Sequence, residues 1–283
     1  MKMKTLFIAV CCLHVTSLFS LDLQLFINPV NLTIEDLDYT LCSFNASETP
    51  DPENEVIRLS VDEMLNLTVT NLDDLPHNFT IDGILENDNS IAAGGSETFS
   101  LSFNSEGTWR YYSDFSYGTL LGASGIILVG YESFPCFYWN LLDIDGELSN
   151  EIAVQSVTEI PITYAPELFF INGARYPLTL ENPETVVSIS LGETAIISVI
   201  NSGYMDHVLH FHGFHIEIVS AQIQSNRVGW IKDSIPLKSG EAMTFRLVGN
   251  QVGIYPVHDH NLIAVTNVGT YPGGMLTQIQ VQE

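Results

Sequence analysis

Residues 197–213 read ISVINSGYMDHVLHFHG, and residues 67–83 read LTVTNLDDLPHNFTIDG. The two stretches align without a gap, so that Asn71 matches Asn201 and His77 matches His207. Further along, GGSETFSLSF followed by GTWRYYSDF mirrors SGEAMTFRL followed by GIYPVHDH. Self-similarity of this kind predicts two tandem copies of one domain.

The rest of the sequence is typical of short β-strands. Runs rich in β-branched and aromatic residues, such as 98–103 and 195–200, are broken by Gly, Asn, Asp and Pro, and no long helical period appears. This pattern predicts an all-β fold of two tandem sandwiches. The predicted segments are an N-terminal extension at 21–54, domain 1 at 55–137, a linker at 138–160 and domain 2 at 161–283.

The charge balance excludes several classes of partner. Lys and Arg number 9 against 34 Asp and Glu, which gives a formal net charge of −25. Nucleic acids and anionic membranes repel such a chain, so neither is an expected partner. The acidity either attracts cations or keeps a secreted protein soluble.

Residues 1–20, MKMKTLFIAVCCLHVTSLFS, have the pattern of a signal peptide. Lys2 and Lys4 precede an apolar run, and Ser17 and Ser20 are small residues suited to cleavage. No other apolar run is long enough to span a membrane. We therefore expect a secreted, soluble mature protein.

Two cysteines, Cys42 and Cys136, lie outside this segment. An oxidising compartment favours a disulfide between them, joining the N-terminal extension to the end of domain 1. Sequons of the N-x-S/T type predict glycosylation at four positions, which are Asn31, Asn45, Asn66 and Asn78.

Six of the eight histidines lie in two short clusters, HVLHFHGFH at 207–215 and YPVHDH at 255–260. Side chains alternate faces along a β-strand, so histidines two positions apart share a face. Two neighbouring strands of this kind bring four imidazoles together, and imidazole binds both copper and zinc. The candidate metal ligands are His210, His212, His258 and His260.

Domain 1 provides an internal comparison for these positions. The repeat aligns the four histidines with Thr80, Asp82, Tyr112 and Asp114. Packing common to both domains therefore does not explain the histidines of domain 2, and a metal site explains them better.

The histidine motifs resemble those of multicopper oxidases and copper nitrite reductases. HVLHFHG (207–213) is similar to the family's His-x-x-His-x-His-Gly, and GIYPVHDH (253–260) is similar to its Gly-x-Trp-x-x-His-Cys-His. The resemblance covers most of residues 55–282. It implies two cupredoxin-like Greek-key sandwiches, a copper cofactor and oxidation of a small reducing substrate.

Carried over residue by residue, the resemblance places His207 at a type 1 copper position and the other four candidates in the type 2/type 3 cluster. The type 1 cysteine is replaced by Asp259, and the histidine expected five residues later is Ala264. Domain 1 keeps His77 but has Ser113 at the cysteine position. A blue copper site needs a thiolate and two imidazoles, so we expect type 1 copper in neither domain.

What remains is a four-histidine half-site. Two-domain relatives complete such a site across a trimer interface, so the resemblance implies a homotrimer. Asp82, Asp114 or Tyr112 of a neighbouring subunit are candidates to complete or orient the site here.

Three residues beside the cluster have two interpretations each. His207 is either a ligand or the partner of Asp259. Asp259 either orients a neighbouring imidazole or replaces the lost thiolate with a hydrogen bond. His215, beyond Gly213, either supports a ligand or lies on the surface.

Three functions are compatible with these motifs. The first is a secreted copper protein related to multicopper oxidases, with redox chemistry at a histidine-ligated ion. The second is a metal-binding or scavenging cupredoxin without turnover, for copper or zinc. The third is a structural β-sandwich that retains the histidines without their chemistry.

Overall fold

The structure is a computed structural model that describes residues 20–157 and 163–283. Residues 1–19 of the predicted signal peptide lie outside this range. Within it, no helix has the length and apolar character needed to cross a membrane.

Domain 1 consists of two four-stranded sheets packed face to face. Alternation creates its core: in β4, Leu65, Leu67 and Val69 are buried, while the residues between them are partly exposed. The sheet orders are β2-β1-β4-β6 and β3-β8-β7-β5. The strands are β1 Ser20–Ile34, β2 Leu37–Asn45, β3 Val56–Leu59, β4 Met64–Asn71, β5 Thr80–Ile81, β6 Ser96–Ser102, β7 Gly107–Tyr112 and β8 Ser124–Val129.

Domain 2 repeats this arrangement with extra strands at two edges. Its sheets have the orders β10-β9-β12-β17-β14-β15 and β11-β19-β18-β13-β16. The strands are β9 Cys136–Ile144, β10 Leu168–Ile171, β11 Val187–Ser190, β12 Thr194–Asn201, β13 His207–Phe211, β14 Ile216–Ala221, β15 Ile231–Lys232, β16 Ser234–Leu237, β17 Ala242–Val248, β18 Gly253–Asp259 and β19 Leu276–Gln282. Helix α1 spans Gly146–Ala153, and short 3₁₀ segments span Phe115–Leu121, Leu178–Leu180, Ser225–Arg227 and Leu262–Val265.

The two domains correspond strand by strand, which confirms the predicted pair of β-sandwiches. The order β2-β1-β4-β6 matches β10-β9-β12-β17, and β3-β8-β7-β5 matches β11-β19-β18-β13. The asparagines of the repeat have the same role in each copy. The Nδ2 atom of Asn71 donates to the carbonyls of Leu75 and Ile91, as that of Asn201 does in its own loop.

The structure places two segments differently from the sequence-based boundaries. Much of the predicted extension, 21–54, forms β1 and β2, and β1 pairs in parallel with β4. The first part of the predicted linker, 138–160, lies in β9, which pairs in parallel with β12 of domain 2. Each sandwich thus begins earlier in the chain than the repeat alone indicates.

A buried polar contact joins the two domains. The hydroxyl of Thr108 on β7 lies 2.8 Å from both the Ser198 hydroxyl on β12 and the Thr244 hydroxyl on β17. All three side chains are buried. Each buried hydroxyl therefore has its hydrogen-bond partner in the opposite domain.

The predicted disulfide is wrong, because both cysteines are free. Cys42 is buried in the domain 1 core with its Sγ atom 3.8 Å from His77 Nε2. Cys136 packs in a separate apolar cluster, with Sγ 3.5 Å from an Arg58 nitrogen. The two thiols thus contact different groups in different parts of the fold.

Two of the four sequons are inaccessible in the folded chain. Asn45 and Asn78 are buried, and their Nδ2 atoms donate hydrogen bonds to main-chain carbonyls. Glycosylation at these two positions is therefore incompatible with the fold. Asn31 and Asn66 lie on β1 and β4 without being buried, and glycosylation there stays a prediction.

Candidate metal centre

Two adjacent strands carry the histidine motifs of domain 2. β13 and β18 pair antiparallel, with His210 directly opposite His258. Leu209 and Phe211 flank His210 in the sequence, and Val257 precedes His258. All three point into the core. His210 and His258, which alternate with these residues, consequently lie on the outer face of the five-stranded sheet.

Three of the four candidate ligands form a close group. The Nε2 atoms of His212 and His258 are 3.0 Å apart, and their ring centroids are 5.1 Å apart. The ring of His210 is 4.8 Å from that of His212 and 5.6 Å from that of His258. His260 lies at one side, with its ring 5.6 Å from His210. We call these four residues the histidine face.

Backbone carbonyls fix which nitrogen is free in two of these rings. The Nδ1 atom of His258 is 2.8 Å from the carbonyl of Asp259, and that of His210 is 3.2 Å from the carbonyl of Asp233. A carbonyl only accepts, so each Nδ1 carries the hydrogen and each Nε2 keeps its lone pair. Ser234 also contacts His210 Nδ1, at 2.9 Å.

Electrostatics keep His212 neutral. Partial burial lowers its pKa, and the neighbouring rings of His258 and His210 lower it further. A neutral imidazole is the form that binds a metal ion.

The opposite side of the same strands contains a buried ion pair. His207 is completely buried, with Nδ1 hydrogen-bonded to Asp259 Oδ2 and Nε2 3.0 Å from Asp143 Oδ2. Burial lowers the pKa of His207, but the hydrogen bonds to the two carboxylates outweigh it and raise the pKa to about 9. His207 is therefore an imidazolium at neutral pH.

Both interpretations of Asp259 correspond to a contact in the structure, made by different atoms of the residue. Its carboxylate replaces the thiolate and binds His207, while its main-chain carbonyl orients His258. Its Oδ1 atom also accepts from the backbone N–H of Asn261, at 2.7 Å. One residue thus connects the interior with the histidine face.

Asp143 escaped the sequence analysis because it lies within the segment assigned as a linker. A local signal exists in the glycine of the Asn-Ser-Gly turn, 201–203. A Cβ added at Gly203 would lie 1.7 Å from Asp143 Oδ2, so only glycine leaves room for this carboxylate.

The matching positions of domain 1 contain no imidazole. Thr80 pairs with Tyr112 in the register that His210 and His258 have in domain 2. Asp82 accepts from the Tyr112 hydroxyl at 2.9 Å, and Asp114 accepts from Asn78 Nδ2 at 2.6 Å. Both carboxylates, predicted to support a neighbour's site, are thus hydrogen-bonded within their own domain.

Comparison with known proteins agrees with this geometry. A family model described as multicopper oxidase matches residues 152–278. The chain has the cupredoxin fold of the multicopper oxidases. No curated protein matches the sequence.

Solved structures extend the likeness across both cupredoxin domains. The blue copper oxidase from Nitrosomonas europaea aligns with a TM-score of 0.76 at 19% identity, over 93% of this chain and 86% of that one. The copper nitrite reductase from Nitrosomonas europaea aligns with a TM-score of 0.68 at 14% identity, over 93% and 94%. A laccase from Botrytis aclada aligns with a TM-score of 0.71 at 16% identity, over 93% of this chain and 52% of the laccase chain.

Copper does not fit the type 1 position of this cupredoxin chain. Both nitrogens of His207 face carboxylates, and the chain contains no cysteine after Cys136 at the start of β9. Ala264 and Met275 are core residues of the apolar cluster. The expected absence of type 1 ligands in domain 2 therefore agrees with the interior packing.

Copper does fit the chemistry of the histidine face. The Nε2 atoms of His210 and His258, together with His212, are imidazole nitrogen donors of the kind that copper accepts. His215, by contrast, is exposed beyond the turn at Gly213. It stands as a surface residue rather than a contact of the cluster.

Proposed function

We propose that this protein binds copper at the histidine face, with His212 and His258 as the central ligands and His210 and His260 beside them. The observation that supports this most strongly is the 3.0 Å separation of the His212 and His258 Nε2 atoms. Carbonyl contacts at Nδ1 already orient the His258 and His210 rings, as the outer partners of metal-binding histidines do.

Copper bound there supplies one-electron redox chemistry. The chain's own residues keep His212 neutral and orient the rings of His210 and His258 on an accessible surface. The interior ion pair of His207 and Asp259 occupies the position through which relatives with type 1 copper exchange electrons. A reducing substrate must consequently approach the histidine face directly.

We further propose that two or more copies assemble over this face, with a trimer as the arrangement implied by the sequence resemblance. On a chain with a net charge of −25, the outward positions of the five strands contain no charged side chain. Ile254 on β18 is 67% exposed there, and its neighbour Pro256 is also exposed. The outward positions are Ser188, Ser190, Val208, His210, Ser234, Pro236, Ile254, Pro256, His258, Leu276, Gln278, Gln280 and Gln282.

An uncharged face of this size is typical of an interface rather than of free surface. A neighbouring copy would exclude water from the imidazoles and could add ligands of its own. The substitution Ile254→Asp should dissociate the assembly, which sedimentation velocity measures directly. A wild-type chain that sediments as a monomer would contradict the assembly without affecting the metal site.

The first experiment is metal content per chain by elemental mass spectrometry. The secreted protein should carry copper at about one ion or more per chain, and His258→Ala/His260→Ala should remove it. Loading both proteins with zinc tests the alternative metal, which the comparisons do not support. Absence of copper in the wild-type protein after incubation with copper would contradict the proposal.

Turnover is a separate question. Oxidation of a phenolic reductant that stops in the same variant supports an oxidoreductase. Copper binding without turnover supports the non-catalytic cupredoxin. Recovery of the protein in the medium, cleaved near Ser20, tests the proposed export.

A further inference from the structure

A second group of side chains with metal-ligand chemistry lies inside domain 1, away from the histidine face. His77 Nε2 is 3.0 Å from Asp73 Oδ2 and 3.8 Å from Cys42 Sγ. Among residues 20–157 and 163–283, these are the one group of three His, Cys, Asp or Glu side chains whose ligand atoms all lie within 4.8 Å of one another. Cys42 and His77 are buried, and the Asp73 side chain is 12% exposed.

The separations are close to those of a bound zinc ion. Zinc lies about 2.0 Å from imidazole nitrogen and carboxylate oxygen and about 2.3 Å from thiolate sulfur. Tetrahedral angles then place nitrogen about 3.3 Å from oxygen and about 3.5 Å from sulfur. The observed 3.0 Å and 3.8 Å each differ from these by about 0.3 Å, and the Asp73 oxygen and Cys42 sulfur lie within 4.8 Å of each other, so the three side chains are close enough to converge on one ion.

Strand register shows that the fold does not require the thiol. Cys42 on β2 pairs with Pro29 on β1, and Phe169 on β10 pairs with Asp143 on β9. Because β1 and β2 correspond to β9 and β10, Cys42 occupies the position of Phe169. A buried phenyl ring fills that space in domain 2, so packing alone does not select cysteine.

The carboxylate also comes from a different element in each domain. In domain 2 it is Asp143 of β9, whereas the matching residue of β1 is Pro29, which has none. In domain 1 it is Asp73, at the position that the repeat aligns with Gly203. Domain 1 therefore combines a thiol, an imidazole and a carboxylate, a set that domain 2 lacks.

A serine orients the imidazole from its other side. The Ser113 hydroxyl lies 3.0 Å from His77 Nδ1 and accepts from the Asn78 N–H at 3.2 Å. The hydroxyl has two acceptor lone pairs, so it accommodates a proton on Nδ1 and leaves Nε2 for an ion. This is the arrangement that accompanies metal-binding histidines.

An ion has a route to the group. Asp73 and its neighbour Asp74 line a surface pocket together with Pro29 and Gln155. The Asp73 carboxylate thus connects the pocket to the buried imidazole and thiol. Two carboxylates at the entrance attract a divalent cation.

We propose that Cys42, Asp73 and His77 form a zinc site with the fourth position open toward this pocket. Binding displaces the thiol proton to solvent, so the sulfur coordinates as thiolate. The site is independent of copper at the histidine face, because its ligands come from β2, the loop after β4 and the segment before β5.

The test uses the full chain, freed of metal and carrying His210→Ala/His258→Ala so that the histidine face is disabled. Co²⁺ serves as a spectroscopic probe, since thiolate coordination produces a near-ultraviolet charge-transfer band. We expect one Co²⁺ per chain, a thiolate band and its loss when Zn²⁺ displaces the probe. Cys42→Ser should abolish the band, while the matched control Cys136→Ser should retain it.

Asp73→Asn is a second variant that preserves shape and changes a partly exposed side chain. It should weaken Zn²⁺ binding by about tenfold or more. The absence of a thiolate band, or a band that survives Cys42→Ser, would overturn the zinc site. If Cys42→Ser does not fold, the thiolate band of the parent protein and the Zn²⁺ affinity of Asp73→Asn test the zinc site instead. Neither outcome bears on copper binding by the intact histidine face.

Discussion

The Nε2 atoms of His212 and His258 lie 3.0 Å apart on the outer face of domain 2. His258 donates from Nδ1 to a carbonyl, so its Nε2 carries a lone pair. The facing Nε2 of His212 either donates its own hydrogen to that lone pair or, as the other tautomer, presents a second lone pair. Coordination of an ion between the two rings requires the second tautomer.

His212→Ala should weaken copper binding by about tenfold or more, because it removes a donor rather than a supporting contact. His215→Ala, three residues away and exposed, is the matched control and should leave the affinity unchanged. Competition with a copper chelator of known affinity measures both. Equal losses in the two variants would contradict the assignment.

The buried imidazolium of His207 predicts a pH dependence of stability. Its pKa is about 9 in the folded chain and about 6.5 when unfolded, so its contribution is fully present below pH 6.5. As the pH rises to about 9, up to about 3 kcal/mol of unfolding free energy is lost. Urea unfolding across this range measures it.

Asp259→Asn supplies the control for that prediction. It removes one of the two carboxylates that raise the pKa of His207, so the loss of stability should be smaller and should end at a lower pH. An NMR titration of the His207 ring gives the pKa itself. A value at or below 6.5 would exclude the charged pair.

The domain junction offers a third prediction. Thr108→Val leaves the buried hydroxyls of Ser198 and Thr244 without their partner, which should lower the free energy of unfolding by about 1–3 kcal/mol. Thr68→Val breaks a similar contact to Thr98 on an exposed face and should cost no more than about 0.5 kcal/mol. Chemical denaturation compares them, and equal costs would argue against a role for burial.

A fourth prediction concerns Glu53, which faces Asn182 of domain 2. Burial raises its pKa to about 7, so stability falls as the pH rises from about 4.5 through 7. Glu53→Gln should stabilise the protein at pH 8 by about 1 kcal/mol, a value reduced for partial exposure, and should have little effect at pH 4.5.

Thermal unfolding at the two pH values tests this prediction. Glu48→Gln, on the exposed side of the same segment, is the control and should change stability at neither pH. Stabilisation by Glu53→Gln that is equal at both pH values would rule out ionisation as the cause.

The sequence predicted the fold where burial alternates. β4, β13 and β18 each have one face in the core, so period two is visible in their residues. β9 could not be recognised in this way, because eight of its nine residues are buried and its sequence, CFYWNLLDI, shows no alternation. β1 does alternate, from Leu21 to Leu25, but a parallel pairing to β4 cannot be read from its sequence.

The histidine positions followed from spacing, whereas their partners did not. Asp143 reaches His207 across the sandwich, and such contacts depend on strand order rather than on local sequence. Counting cysteines led to a disulfide because the count ignores position. Cys42 is held beside His77 by the β1–β2 hairpin, a pairing that no spacing rule contains.

The two copies meet one structural need by different means. Both histidines of the repeat are buried and have a carboxylate oxygen 3.0 Å from Nε2, so each ring has an acidic partner. One copy takes it from a loop and the other from a strand. The histidine is thus common to both copies, whereas the carboxylate beside it comes from a different residue in each. After duplication, each copy could exchange that acid without losing the sandwich around it.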